Sequence, residues 1–274
     1  MSDPGAGSSP SAASEPPVPA AGSSAAPLAA GARRNRWVNY VDRSLRITRR
    51  ILVDKVARDH HQSDRAFRRR RIVAAVTLVV GATLLGLSFS VEFGQPEFYP
   101  LTIALAATWV IGSLVSGPLH LGHIEFRGSL RRPVLMPILL GLLLGLTFVV
   151  GGLIFRRVPV LASYTENVLG YAREGIWWIV LLITIGNGFA EELFFRGALF
   201  AAIGRRHPVL ISTAIYTLVT VASGNPVLVF AALVLGVVVG LQRRAAGGVL
   251  GPILTHVTWS ATMLLILPPL FAAR

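Results

Sequence analysis

Glu191, Glu192 and Arg196 stand together inside a long apolar run, within GNGFAEELFFRGALFAAIG at 186–204. Hydrocarbon cannot solvate a charge, so ionisable residues at membrane depth are rare and point to function. On a helix, Glu192 and Arg196 are an i,i+4 pair with the acid on the N-terminal side, the favourable order. Glu191 lies about 100° around the same turn. The arginine can therefore hold one carboxylate while the other faces a cavity. A structural ion pair accounts for Glu192 and Arg196. It leaves Glu191 without a partner, and an ionisable group of that kind in a cleft is a candidate for chemistry.

Other polar residues reach a similar depth. Counted from the shared ends of the apolar runs at about 1.5 Å per residue, Glu191 lies roughly 20 Å in, Thr220 roughly 18 Å, His256 roughly 10 Å and Ser260 roughly 16 Å. His256 and Ser260 are four apart and share a helix face. A carboxylate and a histidine on one water-filled pocket fit hydrolysis. The carboxylate would act as general base on water, and the histidine would stabilise an oxyanion or protonate a leaving amine. His256 reads equally as a packing residue bonded to a neighbouring helix. His120, His123 and His207 fall at loop edges, and His60 and His61 in a basic arm. The zinc-binding H-E-x-x-H pattern is absent.

These residues need helices in a membrane to position them. The 274 residues are 53% hydrophobic and only 14% charged, against about a quarter charged in ordinary soluble domains. The expected fold class is therefore all-α, a polytopic transmembrane helical bundle of about seven spans. The apolar segments are 72–91, 100–119, 133–155, 176–203, 208–221, 226–241 and 249–267. The fifth and sixth are short and share a tight turn at 223–226. The fourth is long for one simple span and is expected to break or tilt near Gly186 and Gly188. No cysteine is present, which excludes disulfides, thiolate metal sites and a cysteine nucleophile.

Four regions follow. Residues 1–32 are a Pro/Ala/Ser-rich tail too poor in apolar surface to fold, with no signal-peptide pattern. Residues 33–71 are a basic juxtamembrane segment whose spacing predicts an amphipathic helix on the membrane surface. Placed just before a span, it meets anionic lipid headgroups in preference to nucleic acid. Residues 72–175 are N-terminal transmembrane helices, and 176–267 a core of four more. The formal net charge is +13. Arginines before 72, at 127, 131 and 132, at 205 and 206, and at 243 and 244 mark one face as cytoplasmic. Arg156, Arg157 and Arg173 dissent, falling on the other face. The majority places the N-terminus in the cytoplasm and the C-terminus outside. No internal repeat of the transporter kind is found, which counts against a small-molecule carrier.

EELFFRG at 191–197 resembles the E-E-x-x-x-R signature of the CPBP intramembrane proteases, the CAAX-processing and bacteriocin-processing enzymes also called the Abi family. The turn at 223–226, a span ending in Gln242-Arg243-Arg244, and GPILTHVTWS at 251–260 are similar to that family's last three helices in order. The resemblance covers about 176–267. It implies an intramembrane endopeptidase of a cell membrane, with a peptide or protein substrate. It places the water-activating base on Glu191, its partner on Glu192, the arginine on Arg196 and the last-helix histidine on His256. Two positions depart. The family's F-x-x-x-H reads Tyr216-Thr217-Leu218-Val219-Thr220 here, and its last-motif Asn or Asp reads Ser260. Tyr216, Thr220 and Ser260 are thus expected to support the pocket. Family members are often labelled metalloproteases, which implies zinc by label alone. The donors here, Glu191, Glu192 and His256, are poor for tight zinc binding, and no metal is expected. The alternative is a membrane scaffold or peptide-binding protein that has lost its chemistry with the second-motif histidine.

Overall fold

The computed structural model describes residues 62–126, 129–272 and scattered positions between 38 and 55. The 1–32 tail, most of the basic segment with its expected surface helix, and Arg127 lie outside the described residues. In chain order the elements are α1 (Asp64–Ser90), α2 (Phe98–Ser116), a two-stranded antiparallel hairpin of β1 (Ile124–Phe126) and β2 (Ser129–Arg131), α3 (Leu135–Phe155), α4 (Pro159–Glu174) and α5 (Trp177–Glu192). A π-helical stretch (Leu193–Leu199) carries α5 into α6 (Phe200–Ile203). Then come α7 (Pro208–Thr220), a 3-10 turn (Val221–Ser223), α8 (Pro226–Ala246) and α9 (Leu250–Ala272).

Six helices among the described residues are long and apolar enough to cross a membrane. They are α1, α2, α3, α5 with its continuation to Ile203, α8 and α9. The protein is a multi-pass membrane protein with an all-α bundle. The fifth of the seven expected spans, 208–221, is the shorter helix Pro208–Ser223. The sixth segment is longer than its apolar run, because α8 continues through Gln242, Arg243 and Arg244 to Ala246. Arg65 and Arg68–Arg71 likewise form the first turns of α1, which Ser63 caps by accepting from the Ala66 N–H at 3.3 Å. The segment 156–175 is largely helical as α4, where no element was expected. Pro159, Pro208 and Pro226 each open a helix, where the missing N–H costs nothing.

The long fourth segment does not break at Gly186 or Gly188. The helix runs through both, and its irregularity is the π stretch from Leu193. A π turn widens the ladder and is found mostly at functional sites.

Packing is close wherever glycine meets a large residue. Trp109 is 1% exposed and stacks on Phe194 with ring centroids 4.7 Å apart. A Cβ at Gly81 would run into the Trp109 ring. Small residues of this kind let transmembrane helices approach without a hydrophobic driving force. Gly81→Val is therefore expected to destabilise the α1–α2 contact by about 1–3 kcal/mol, the usual range for overpacking. A lowered thermal midpoint in detergent checks it; an unchanged midpoint rules it out.

Candidate active site

Consecutive positions on α5 send the two glutamates to different partners. Glu192 is fully buried at 0% exposure. Its Oε1 accepts from Arg196 Nη1 at 3.0 Å and lies 2.8 Å from His256 Nδ1. A carboxylate held by arginine only accepts, so Nδ1 carries the proton and Nε2 is left to face incoming groups. Gly188, one turn before Glu192, makes the space: a Cβ there would sit 3.4 Å from His256 Cδ2. Trp259, three residues on, flanks the imidazole at 5.8 Å between centroids.

Glu191 is not without a partner, contrary to the expectation from the sequence. Its Oε2 accepts from the Tyr216 hydroxyl at 2.7 Å. The face of the Tyr216 ring carries the Arg196 guanidinium at 4.6 Å, a cation–π contact that gains strength where water is excluded. Tyr216 thus ties the two carboxylate systems together. Its hydroxyl sits on the residue that stands where the family pattern has phenylalanine, so no family motif signals it. Arg196 is fixed from a further direction. Its carbonyl, within the π stretch, accepts from Arg243 Nε at 2.6 Å.

These groups line one cavity of about 160 Å³. Glu191, Tyr216, Thr220 and His256 all border it, with Trp109 and Trp259 among its apolar walls. Thr220 donates its hydroxyl to the Tyr216 carbonyl at 2.9 Å, so it offers the cavity an acceptor and no proton. Ser260 does not line it. Four residues at about 100° overshoot a full turn by about 40°, while three undershoot by about 60°. The cavity lies on the Trp259 side of His256, and equal depth does not fix which way a residue faces.

The donors do not fit a zinc ion. Glu192 Oε1 is shared between Arg196 and His256, the Tyr216 hydroxyl holds Glu191, and a threonine stands where an imidazole would be needed. Among the described residues no group of three or more His, Cys, Asp or Glu is placed to hold a metal.

A helical membrane bundle with paired glutamates, an arginine and a histidine around a buried cavity defines the class: an intramembrane polar site in an apolar wall. Residues 173–262 match the family model described as type II CAAX prenyl endopeptidase Rce1-like. That match supports the CPBP/CAAX protease family over the segment that carries Glu191, Glu192, Arg196, Tyr216, Thr220 and His256. No curated protein and no solved structure matches the chain.

Proposed function

We propose that the protein is an intramembrane endopeptidase of the CAAX-protease type that hydrolyses a peptide bond without a metal. The observation that carries this reading is the shared cavity: Glu191 and His256, 65 positions apart in sequence, face the same space. Had they lined opposite faces of the bundle, hydrolysis by this pair would be impossible.

The residues divide the work as follows. Tyr216 holds Glu191 Oε2 and leaves Oε1 for a water. Glu191 takes that water's proton as the oxygen attacks the carbonyl carbon, giving a tetrahedral oxyanion. His256, held at Nδ1 by Glu192, acts through Nε2. In its imidazolium form it donates to the oxyanion or to the leaving nitrogen, and Glu192 stabilises that charge. The Glu191 proton then completes the amine as the C–N bond breaks. Arg196 holds Glu192 in place from 3.0 Å. Thr220 accepts from the water on the far wall.

Cleavage of a broad peptide panel by the purified protein in detergent tests this. The parent is compared with His256→Ala and with a chelator arm. Cleavage lost in His256→Ala and kept with chelator is the expected result. Cleavage lost with chelator would overturn the metal-free reading. Equal background in parent and variant, both folded, would favour the peptide-binding scaffold.

Tyr216→Phe separates positioning from packing, since the ring and its Arg196 contact are kept. A hydrogen bond to a charged group contributes about 1.5–3 kcal/mol, so kcat is expected to fall about ten- to hundredfold with the thermal midpoint little changed. An unaltered kcat would remove Tyr216 from the mechanism.

A further inference from the structure

The arginine-rich helix ends gather on one face of the bundle. Arg70 Nη2 donates to the Pro118 carbonyl at 3.1 Å, Arg71 Nε to that of Ala202 at 3.1 Å, and Arg132 Nη1 to that of Gly122 at 2.9 Å. His123 N–H donates to the Ala246 carbonyl at 2.9 Å and Val249 N–H to that of His120 at 2.9 Å. The start of α1, the end of α2, the hairpin, the α6–α7 loop and the α8–α9 loop therefore share this face. Among the described residues of these elements the acids are Asp64 and Glu125. The opposite face carries Glu92, Glu97, Glu166 and Glu174 beside Arg156, Arg157 and Arg173. An imbalance of this size in short loops sets orientation, and it puts the arginine-rich face in the cytoplasm.

The cavity is closed toward that face. Trp109, Phe195 and Leu235 border it and are each 1% exposed. Behind them lie the buried Arg196 and its bond to Arg243. Toward the other face three lining residues are half-buried, Phe89 near the end of α1, Thr220 at the end of α7 and Leu228 in the first turn of α8, while Ser223 in the turn is buried. The cavity runs beside the far half of α7, where Tyr216, Val219, Thr220 and Ser223 line it. α7 starts on the arginine-rich side, and with its 3-10 turn it runs only from Pro208 to Ser223, shorter than the spanning helices around it. Polar backbone in hydrocarbon needs internal partners. Ser223 Oγ donates to the Thr220 carbonyl at 2.7 Å, and Asn225 Oδ1 accepts from Val227 and Leu228 N–H at 3.0 and 3.4 Å. Asn225 Nδ2 donates to the Tyr164 carbonyl on α4 at 2.8 Å.

We propose that the site takes its substrate from the extracytoplasmic side: an apolar stretch of polypeptide presented at, or anchored in, the outer leaflet. This rests on the endopeptidase reading for the word substrate, but the direction of access does not. A peptide end presented in the cytoplasm would meet the arginine-rich wall and have no path to Glu191.

The chain has no cysteine, so single cysteines report access without background. Val221→Cys samples the exposed turn at the cavity mouth, Thr220→Cys the cavity wall, and Arg206→Cys the arginine-rich face. Each full-length variant is expressed in a bacterial inner membrane, and intact spheroplasts receive a membrane-impermeant maleimide. Val221→Cys and Thr220→Cys are expected to label in intact spheroplasts, and Arg206→Cys only after permeabilisation. The reverse pattern overturns the proposal, as does a Thr220→Cys that labels only after permeabilisation. A second arm uses two single-span reporters with the same apolar segment, one outside and one in the cytoplasm. Glu191-dependent cleavage of the outer reporter alone is expected, and cleavage of the cytoplasmic one alone overturns the proposal. The expected labelling with neither reporter cut would sustain the direction of access and sink the endopeptidase reading instead.

Discussion

Glu191→Gln is expected to abolish peptide cleavage while leaving the fold intact. Glutamine keeps the size of the side chain, and its carbonyl oxygen can still accept from the Tyr216 hydroxyl now 2.7 Å from Glu191 Oε2. What it loses is the ability to take a proton from water. General-base catalysis contributes about 10²–10⁴-fold, so kcat should fall by at least two orders of magnitude with the thermal midpoint unchanged. A variant that keeps a tenth or more of the parent kcat would show that another group activates the water. His256 Nε2 would then be the remaining candidate, because Glu192 already orients its other nitrogen at 2.8 Å.

Arg196→Met is expected to unfold the site rather than only slow it. Arg196 and Glu192 are both 0% exposed and 3.0 Å apart. Removing one partner of such a pair strands the other charge, at a cost of about 3–5 kcal/mol. Methionine fills much of the volume, so lost packing contributes little and the stranded carboxylate dominates. His256 alone would then face Glu192. The expected readouts are a large drop in thermal midpoint in detergent, loss of activity and recovery of stability in the double variant Arg196→Met/Glu192→Gln without recovery of cleavage. Such recovery separates charge balance from geometry, because a neutral pair no longer needs a counter-ion. An Arg196→Met protein as stable as the parent would mean that the ion pair does not hold this helix.

The sequence located the site more closely than it explained it. Ionisable residues in an apolar run are legible because their cost in hydrocarbon leaves few reasons for their presence, and the i,i+4 spacing of Glu192 and Arg196 is a local property of one helix. The shared cavity of Glu191, Thr220 and His256 was legible too, through depth along the helices. Facing was not. Trp259 lines the cavity and Ser260 does not, a difference of one residue that depends on how α9 is rotated against α5. The Tyr216–Glu191 bond joins residues 25 apart, and nothing in either local pattern specifies it. Gly188 stands one turn from Glu192 and could have been read as space for a neighbour, but only the packed structure names His256 as that neighbour.

By itself the sequence determined that this is a helical membrane protein, that Glu191, Glu192 and Arg196 lie within an apolar run and which ends carry the arginines; the burial of Arg70 and Arg243 it did not signal. All three follow from composition and from periodicity within single helices. The tertiary structure decided that His256 joins the Glu192–Arg196 pair and that Glu191 faces the cavity with a tyrosine. Those outcomes depend on helix rotation and on the π stretch after Glu192. They are set by side chains from several helices competing for the same space, and no single stretch of chain contains that information.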